Sequence, residues 1–60
     1  MKRWDWEGEA VTETGSIVSV FGQVEAPSRD DAWAAAKEDA YEQVSSAITV
    51  DVTYVAEEIV

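Results

Sequence analysis

Acidic side chains at alternate positions, Asp5, Glu7 and Glu9, are the first group in this 60-residue chain whose type and spacing could do chemistry. Two carboxylates can hydrolyse a glycosidic bond, one as acid and one as base or nucleophile, but such a pair needs a substrate cleft between its members. Carboxylates can also gather a hard cation. Calcium takes roughly six to eight oxygens, commonly from a loop of the D-x-D-x-D-G kind, and that pattern does not occur. The chain has neither His nor Cys, which removes imidazole bases, metal-binding imidazoles and thiolate nucleophiles. A Gly-rich phosphate loop is missing as well. The expectation is a protein that is not an enzyme and that takes no metal and no cofactor. What the three acids can do together is electrostatic. Side chains two apart on a strand lie about 6.8 Å apart, so the row is a regular line of negative charge, a sparse imitation of duplex DNA with its charge about every 1.7 Å of axis.

That row has to be held by a strand. From Lys2 to Thr12 the even positions carry Trp4, Trp6, Gly8 and Ala10 and the odd ones Arg3, Asp5, Glu7 and Glu9. This period of two predicts a half-buried strand with both tryptophans inward and the acids outward. Gly8 weakens such a strand and marks either a bulge or a place where a Trp lies across the backbone. Glu13-Thr14-Gly15-Ser16 supplies a turn, with Gly15 able to take a positive φ. Ile17 to Ala26 is then the second strand of a hairpin, with Val18, Val20, Val24 and Ala26 towards the core and Phe21 outward.

The clearest element is the helix from Arg29 to Val44. Ser28 is its N-cap, Asp31 follows at the capping-box spacing, and Pro27 blocks extension backwards. Trp33, Ala36, Ala40, Val44 and Ala47 fall on one stripe, and Asp31, Glu38, Asp39 and Glu42 on the other side. Trp33 is expected as the single large side chain under an otherwise alanine-lined helix. The third strand, residues 48–56, is expected to turn Ile48, Val50, Val52 and Tyr54 inward and Thr49, Asp51, Thr53 and Val55 outward. Glu57 to Val60 either continues it or frays.

The predicted fold is α+β, a single domain over residues 1–60 in the order ββαβ, with strands at about 2–12, 17–26 and 48–56 and a helix at about 29–44. A right-handed crossover can place the third strand beside the first, giving a three-stranded antiparallel sheet of order 2-1-3 with the helix on one face. The other face is bare. Strand one in the middle puts Asp5, Glu7 and Glu9 at its centre, with Asp51 and Glu57 to one side and Glu25 to the other.

Charge is the strongest compositional signal, with 13 Asp and Glu against 4 Lys and Arg and a net charge of -9. Such a chain is repelled by nucleic acid and by anionic membranes, both of which are bound through basic residues. No direct binding to either is expected. The N-terminal Met1-Lys2-Arg3-Trp4-Asp5 leads into acids rather than an apolar leader segment, and no apolar run has the length of a membrane span. The expected location is the cytoplasm of a host cell. A domain this small buries only about 60% of its unfolded surface, and without disulfides or zinc a homodimer is one way to add stability. Ile17, Phe21, Val55 and Ile59 are the outward apolar residues that could support one.

The junction Val24-Glu25-Ala26-Pro27-Ser28-Arg29-Asp30-Asp31-Ala32, continuing to Ala36, resembles a pattern found in short phage and mobile-element proteins. In these a strand ending V-x-A leads into S-x-x-[DE]-A and a helix with Ala every four residues. The resemblance covers roughly a quarter to a third of the chain. It implies a pool that includes acidic anti-defence proteins, among them anti-CRISPR proteins, some of which resemble nucleic acid in charge. It carries over no functional residue, since the matching positions are a cap and packing residues. Together these readings predict a small acidic protein-binding module, of the phage anti-defence type, that occupies a basic, nucleic-acid-binding surface of a target protein through Asp5, Glu7, Glu9, Phe21 and Asp51. The alternative is a salt-adapted or generic small domain that forms a homodimer and uses its acids for solvation.

Overall fold

Alternation of tryptophan and small residues with acids gives the first strand one dry side and one wet side, and the rest of the molecule is built on the dry one. The computed structural model describes residues 1–59; Val60, the end of the expected strand-or-fray tail, lies outside the described residues. The elements are β1 (Lys2–Thr12), β2 (Ile17–Ala26), α1 (Arg29–Gln43) and β3 (Ala47–Glu57). The sheet order is β2-β1-β3, with β1 antiparallel to both neighbours. This is the ββαβ architecture that the sequence pattern predicts, to within a residue at the ends of the helix and of β3.

The β1–β2 hairpin runs in unbroken register from Lys2↔Ala26 to Val11↔Ile17. Its loop closes with two backbone bonds, Thr12 N–H to the Ser16 carbonyl at 3.0 Å and Gly15 N–H to the Thr12 carbonyl at 2.9 Å. Gly15 sits at φ +82°, the left-handed region that a Cβ disfavours. The helix starts as its cap requires. The Ser28 hydroxyl accepts the Asp31 N–H at 3.3 Å and donates to the Asp31 carboxylate at 3.1 Å.

Helix and sheet meet by setting the smallest side chains of one against the largest of the other. Ala32, Ala36 and Ala40 are fully buried, and their short side chains let the helix settle onto Trp4, Trp6, Val20, Val50, Val52 and Val55. Trp4 closes one end of the core, its indole N–H donating to the Ala26 carbonyl at 3.0 Å. Trp6 is only 1% exposed. Truncating a buried Trp costs about 3–5 kcal/mol, against a total stability of roughly 0.05–0.15 kcal/mol per residue for a domain. The two tryptophans of β1 therefore decide whether this chain folds.

Three expectations are corrected by the packing. Trp33 is not under the helix but 37% exposed, with the Arg29 guanidinium stacked 5.9 Å from its ring centre. The rest of the expected stripe holds, with Ala36 and Ala40 fully buried and Val44 and Ala47 packed against the core, while Ala32 rather than Trp33 fills its first position. Asp39 is likewise not on the outer side. It is half-buried at the margin over β2, where the Gln43 amide donates to its carboxylate at 3.3 Å and to the Phe21 carbonyl at 3.0 Å.

The third correction concerns β3. Its register against β1 slips twice, between Glu7 and Gly8 and between Val11 and Thr12. Glu7 pairs with Tyr54 and Gly8 with Val52, so Thr53 is an extra residue, and Thr12 pairs with Ala47, so Ile48 is another. An inserted residue reverses which side the following side chains face. Val50 and Val52 stay inward, but Val55 is buried at 6% and Tyr54 is 51% exposed, the reverse of a uniform alternation. Ile48, expected inward, is exposed as well. Gly8 is what permits the first slip. A Cβ there would stand 2.6 Å from the Asp51 carbonyl oxygen, a separation only a glycine can accept.

Candidate functional site

With α1 covering one side of the sheet, the other side is presented to solvent as three parallel files of side chains. The middle file is β1, whose acids Asp5, Glu7 and Glu9 point away from the buried tryptophans, as the alternation predicts. Antiparallel pairing sets each acid directly between two residues of the neighbouring strands. Asp5 lies between Gln23 and Ala56, Glu7 between Phe21 and Tyr54, and Glu9 between Ser19 and Asp51. All five expected partner-binding residues, Asp5, Glu7, Glu9, Phe21 and Asp51, are thus on one face and adjacent in rows. Their assembly needs only β1 at the centre of the sheet.

Electrostatic compensation is concentrated at one end of this face. Arg3 lies 3.8 Å from the Glu25 carboxylate and 3.9 Å from that of Glu58, at the end where Glu58 N–H bonds the Arg3 carbonyl at 2.9 Å. Lys2 pairs with Glu57 at 3.7 Å. Glu57 was expected on the open face beside Asp51. The slip at Thr53 places it opposite Trp4, on the helix side, and Glu58 takes the open-face position. Among the described residues, Glu7, Glu9 and Asp51 have no cationic partner within salt-bridge distance. Asp5 accepts a bond from the Gln23 amide at 2.7 Å, a neutral donor that orients the carboxylate without cancelling its charge. The acids do not converge into a cation-holding cluster among the described residues; the pleat spreads them along the sheet.

Two large aromatic side chains stand in the same patch. Phe21 is 71% exposed and Tyr54 is 51% exposed, and both are register partners of Glu7. Tyr54 is the site residue that the periodicity missed, since strict alternation turns it into the core. Gly8 was the available signal. A bulge at that position carries with it a change of parity in the partner strand beyond it. Two shallow hollows open on the face. One is bordered by Glu7, Glu9, Ser19, Phe21 and Thr53, and the other by Asp5, Glu7, Phe21, Gln23 and Tyr54. Neither is an enclosed cleft of the kind that surrounds a small substrate.

The residues expected to support a homodimer fare differently. Ile17, Phe21 and Ile59 are exposed, but Val55 is in the core, so the four do not form one surface. No helix among the described residues is long and apolar enough to cross a membrane.

No family model, curated protein or solved structure matches this chain. The functional reading of the face therefore stands on its geometry and charge.

Proposed function

We propose that this chain is a small acidic protein-binding module whose open sheet face occupies a basic surface of a target protein, one of the kind that ordinarily holds nucleic acid. The observation that carries this reading is the group of Glu7, Glu9 and Asp51, without a cationic partner among the described residues, set beside exposed Phe21 and Tyr54 on the open sheet face. Charge alone makes a solvated coat. Charge beside exposed aromatic area suits an interface, because aromatic residues are enriched where proteins bind one another. The two compensated cations, Lys2 and Arg3, sit at one end of the strands, leaving the middle of the face uniformly negative for long-range attraction of a positive partner. From the resemblance of the Val24–Ala36 junction to short phage and mobile-element proteins we infer the setting, an anti-defence inhibitor in a host cell that competes with nucleic acid for its target.

The test is capture of basic, nucleic-acid-binding proteins on the immobilised chain at low salt, followed by elution with a duplex oligonucleotide. The captured target should be displaced both by the duplex and by raised salt. Replacing the acids together, Asp5→Lys, Glu7→Lys and Glu9→Lys, should weaken its binding by about 100-fold or more while circular dichroism confirms that the fold persists. Undiminished binding by the triple variant removes the sheet face from the interaction.

A further inference from the structure

The row Phe21, Glu7, Tyr54 is more specific than the acidity around it. Strand spacing sets the backbones of Phe21 and Tyr54 about 10 Å apart, with that of Glu7 midway between them. The side chains of all three rise from the same face, so the two aromatic residues flank that of Glu7. The hollow bordered by Phe21 and Tyr54 is also lined by Asp5 and Glu7. One oxygen of Asp5 is occupied by the Gln23 amide at 2.7 Å, which turns the carboxylate to a fixed orientation and leaves its other oxygen available. The hollow thus brings together two aromatic side chains and two carboxylates, with no cation of its own among the described residues.

We propose that this hollow seats an arginine side chain from an extended basic segment of the partner protein, with the guanidinium stacked on Phe21 or Tyr54 and its N–H groups on Glu7 and Asp5. This inference rests on the docking role of the sheet face and names the group it reads. Guanidinium matches each part of the seat. It is planar, it stacks on aromatic faces, and its fork of donors meets carboxylate oxygens in pairs. A lysine ammonium answers the charge but neither stacks flat on a ring nor meets carboxylate oxygens in pairs. The neighbouring acids fit an extended partner too, since alternate side chains of a strand repeat at about the same 6.8 Å spacing as Asp5, Glu7 and Glu9.

The experiment uses two synthetic peptides of equal charge, one carrying arginine at three alternate positions and the other lysine, titrated into the full chain at low salt by calorimetry and by NMR. The arginine peptide should bind about fivefold or more tightly than its lysine twin and shift the ring resonances of Phe21 and Tyr54. Carboxylates alone favour arginine to some degree, so the aromatic variants decide the matter. Phe21→Thr and Tyr54→Thr remove the rings and put in a β-branched residue that suits an exposed strand position. Each should bring the arginine peptide down towards the lysine value, whereas Glu7→Gln should weaken both peptides. Equal affinities for the two peptides, or an arginine preference that survives both aromatic variants, overturns the seat while leaving the acidic face in place as the docking surface. Failure of either peptide to bind in a salt-dependent way overturns both.

Discussion

A methyl group added at Gly8 would meet the Asp51 carbonyl oxygen at 2.6 Å and the Val52 Cα at 3.1 Å, whereas one added at Gly22 would meet only side-chain atoms, the Asp39 carboxylate and the Trp6 indole nitrogen, both at 3.2 Å. The two glycines look alike in the sequence, each interrupting a strand, yet they answer to different constraints. Backbone atoms of a central pairing cannot yield without dragging β3 with them, while at Gly22 the Asp39 carboxylate is the end of a side chain that can swing aside and the buried Trp6 ring has to give by only a few tenths of an ångström. Gly8→Ala should therefore cost about 2–3 kcal/mol, in the range of overpacking. Gly22→Ala should stay within about 1 kcal/mol, since alanine also removes some of the backbone entropy that glycine loses on folding. Urea denaturation of the two variants checks this, and equal losses would show that the close approach at Gly8 is not what holds the slip in β3. The space over Gly22 has another consequence. The Trp6 indole N–H faces it with no hydrogen-bond partner among the described residues, a penalty of about 1–3 kcal/mol that the burial of so large a ring outweighs.

At the scale of the helix, the start and the end are built to different standards. The first turn has Ser28 as cap and Asp30 and Asp31 near the positive end of the dipole, but the last turn has no basic residue. Glu38 and Glu42 are like charges four positions apart, and Glu42 faces the negative end of the dipole; both arrangements are mildly unfavourable. The helix nevertheless forms because its stability comes from Ala32, Ala36 and Ala40 seated on the two tryptophans, not from its own charges. Glu42→Lys should relieve the repulsion, place a cation at the C-terminal turn and create a favourable Glu38–Lys pair. A gain of about 0.5–1 kcal/mol is expected in urea denaturation at low salt, shrinking as salt is added. A loss of stability would mean that Glu42 has a structural role its exposure conceals.

Over the whole molecule, the same charges act in two opposite ways. Thirteen acids against four bases on a domain this small repel one another in the folded state more than in the expanded one. Salt shortens the range of that repulsion from about 10 Å at 0.1 M to about 3 Å at 1 M. Stability should therefore rise with salt, by about 1 kcal/mol or about 4–8 °C in Tm between low salt and 1 M sodium chloride, as thermal denaturation followed by circular dichroism can show. Attraction to a basic partner should weaken over the same interval. A chain whose Tm is flat with salt would have its acids already compensated, which the distribution of the ion pairs argues against, since Lys2 and Arg3 both lie at one end of the sheet.

Local rules were enough for much of this. The period of two in Lys2–Thr12 separates Trp4 and Trp6 from Asp5, Glu7 and Glu9, the cap at Ser28 begins the helix, Gly15 turns the hairpin, and one helix among three strands leaves one sheet face open. Each of these depends on residues near in sequence, so pattern determined the ββαβ order and the alternation behind the acidic row, while the place of β3 beside β1 rather than β2 was decided only in the assembled sheet. What only the tertiary structure decided is wherever two distant segments must fit. Trp33 lies outside because the sheet already fills the space beneath the helix, and Tyr54 joins Phe21 beside Glu7 because β3 gains a residue where it crosses Gly8. Alternation is a property of one strand, but its phase against a neighbour is set by contact between them, and a single inserted residue moved an aromatic side chain from the core to the face proposed to bind a partner.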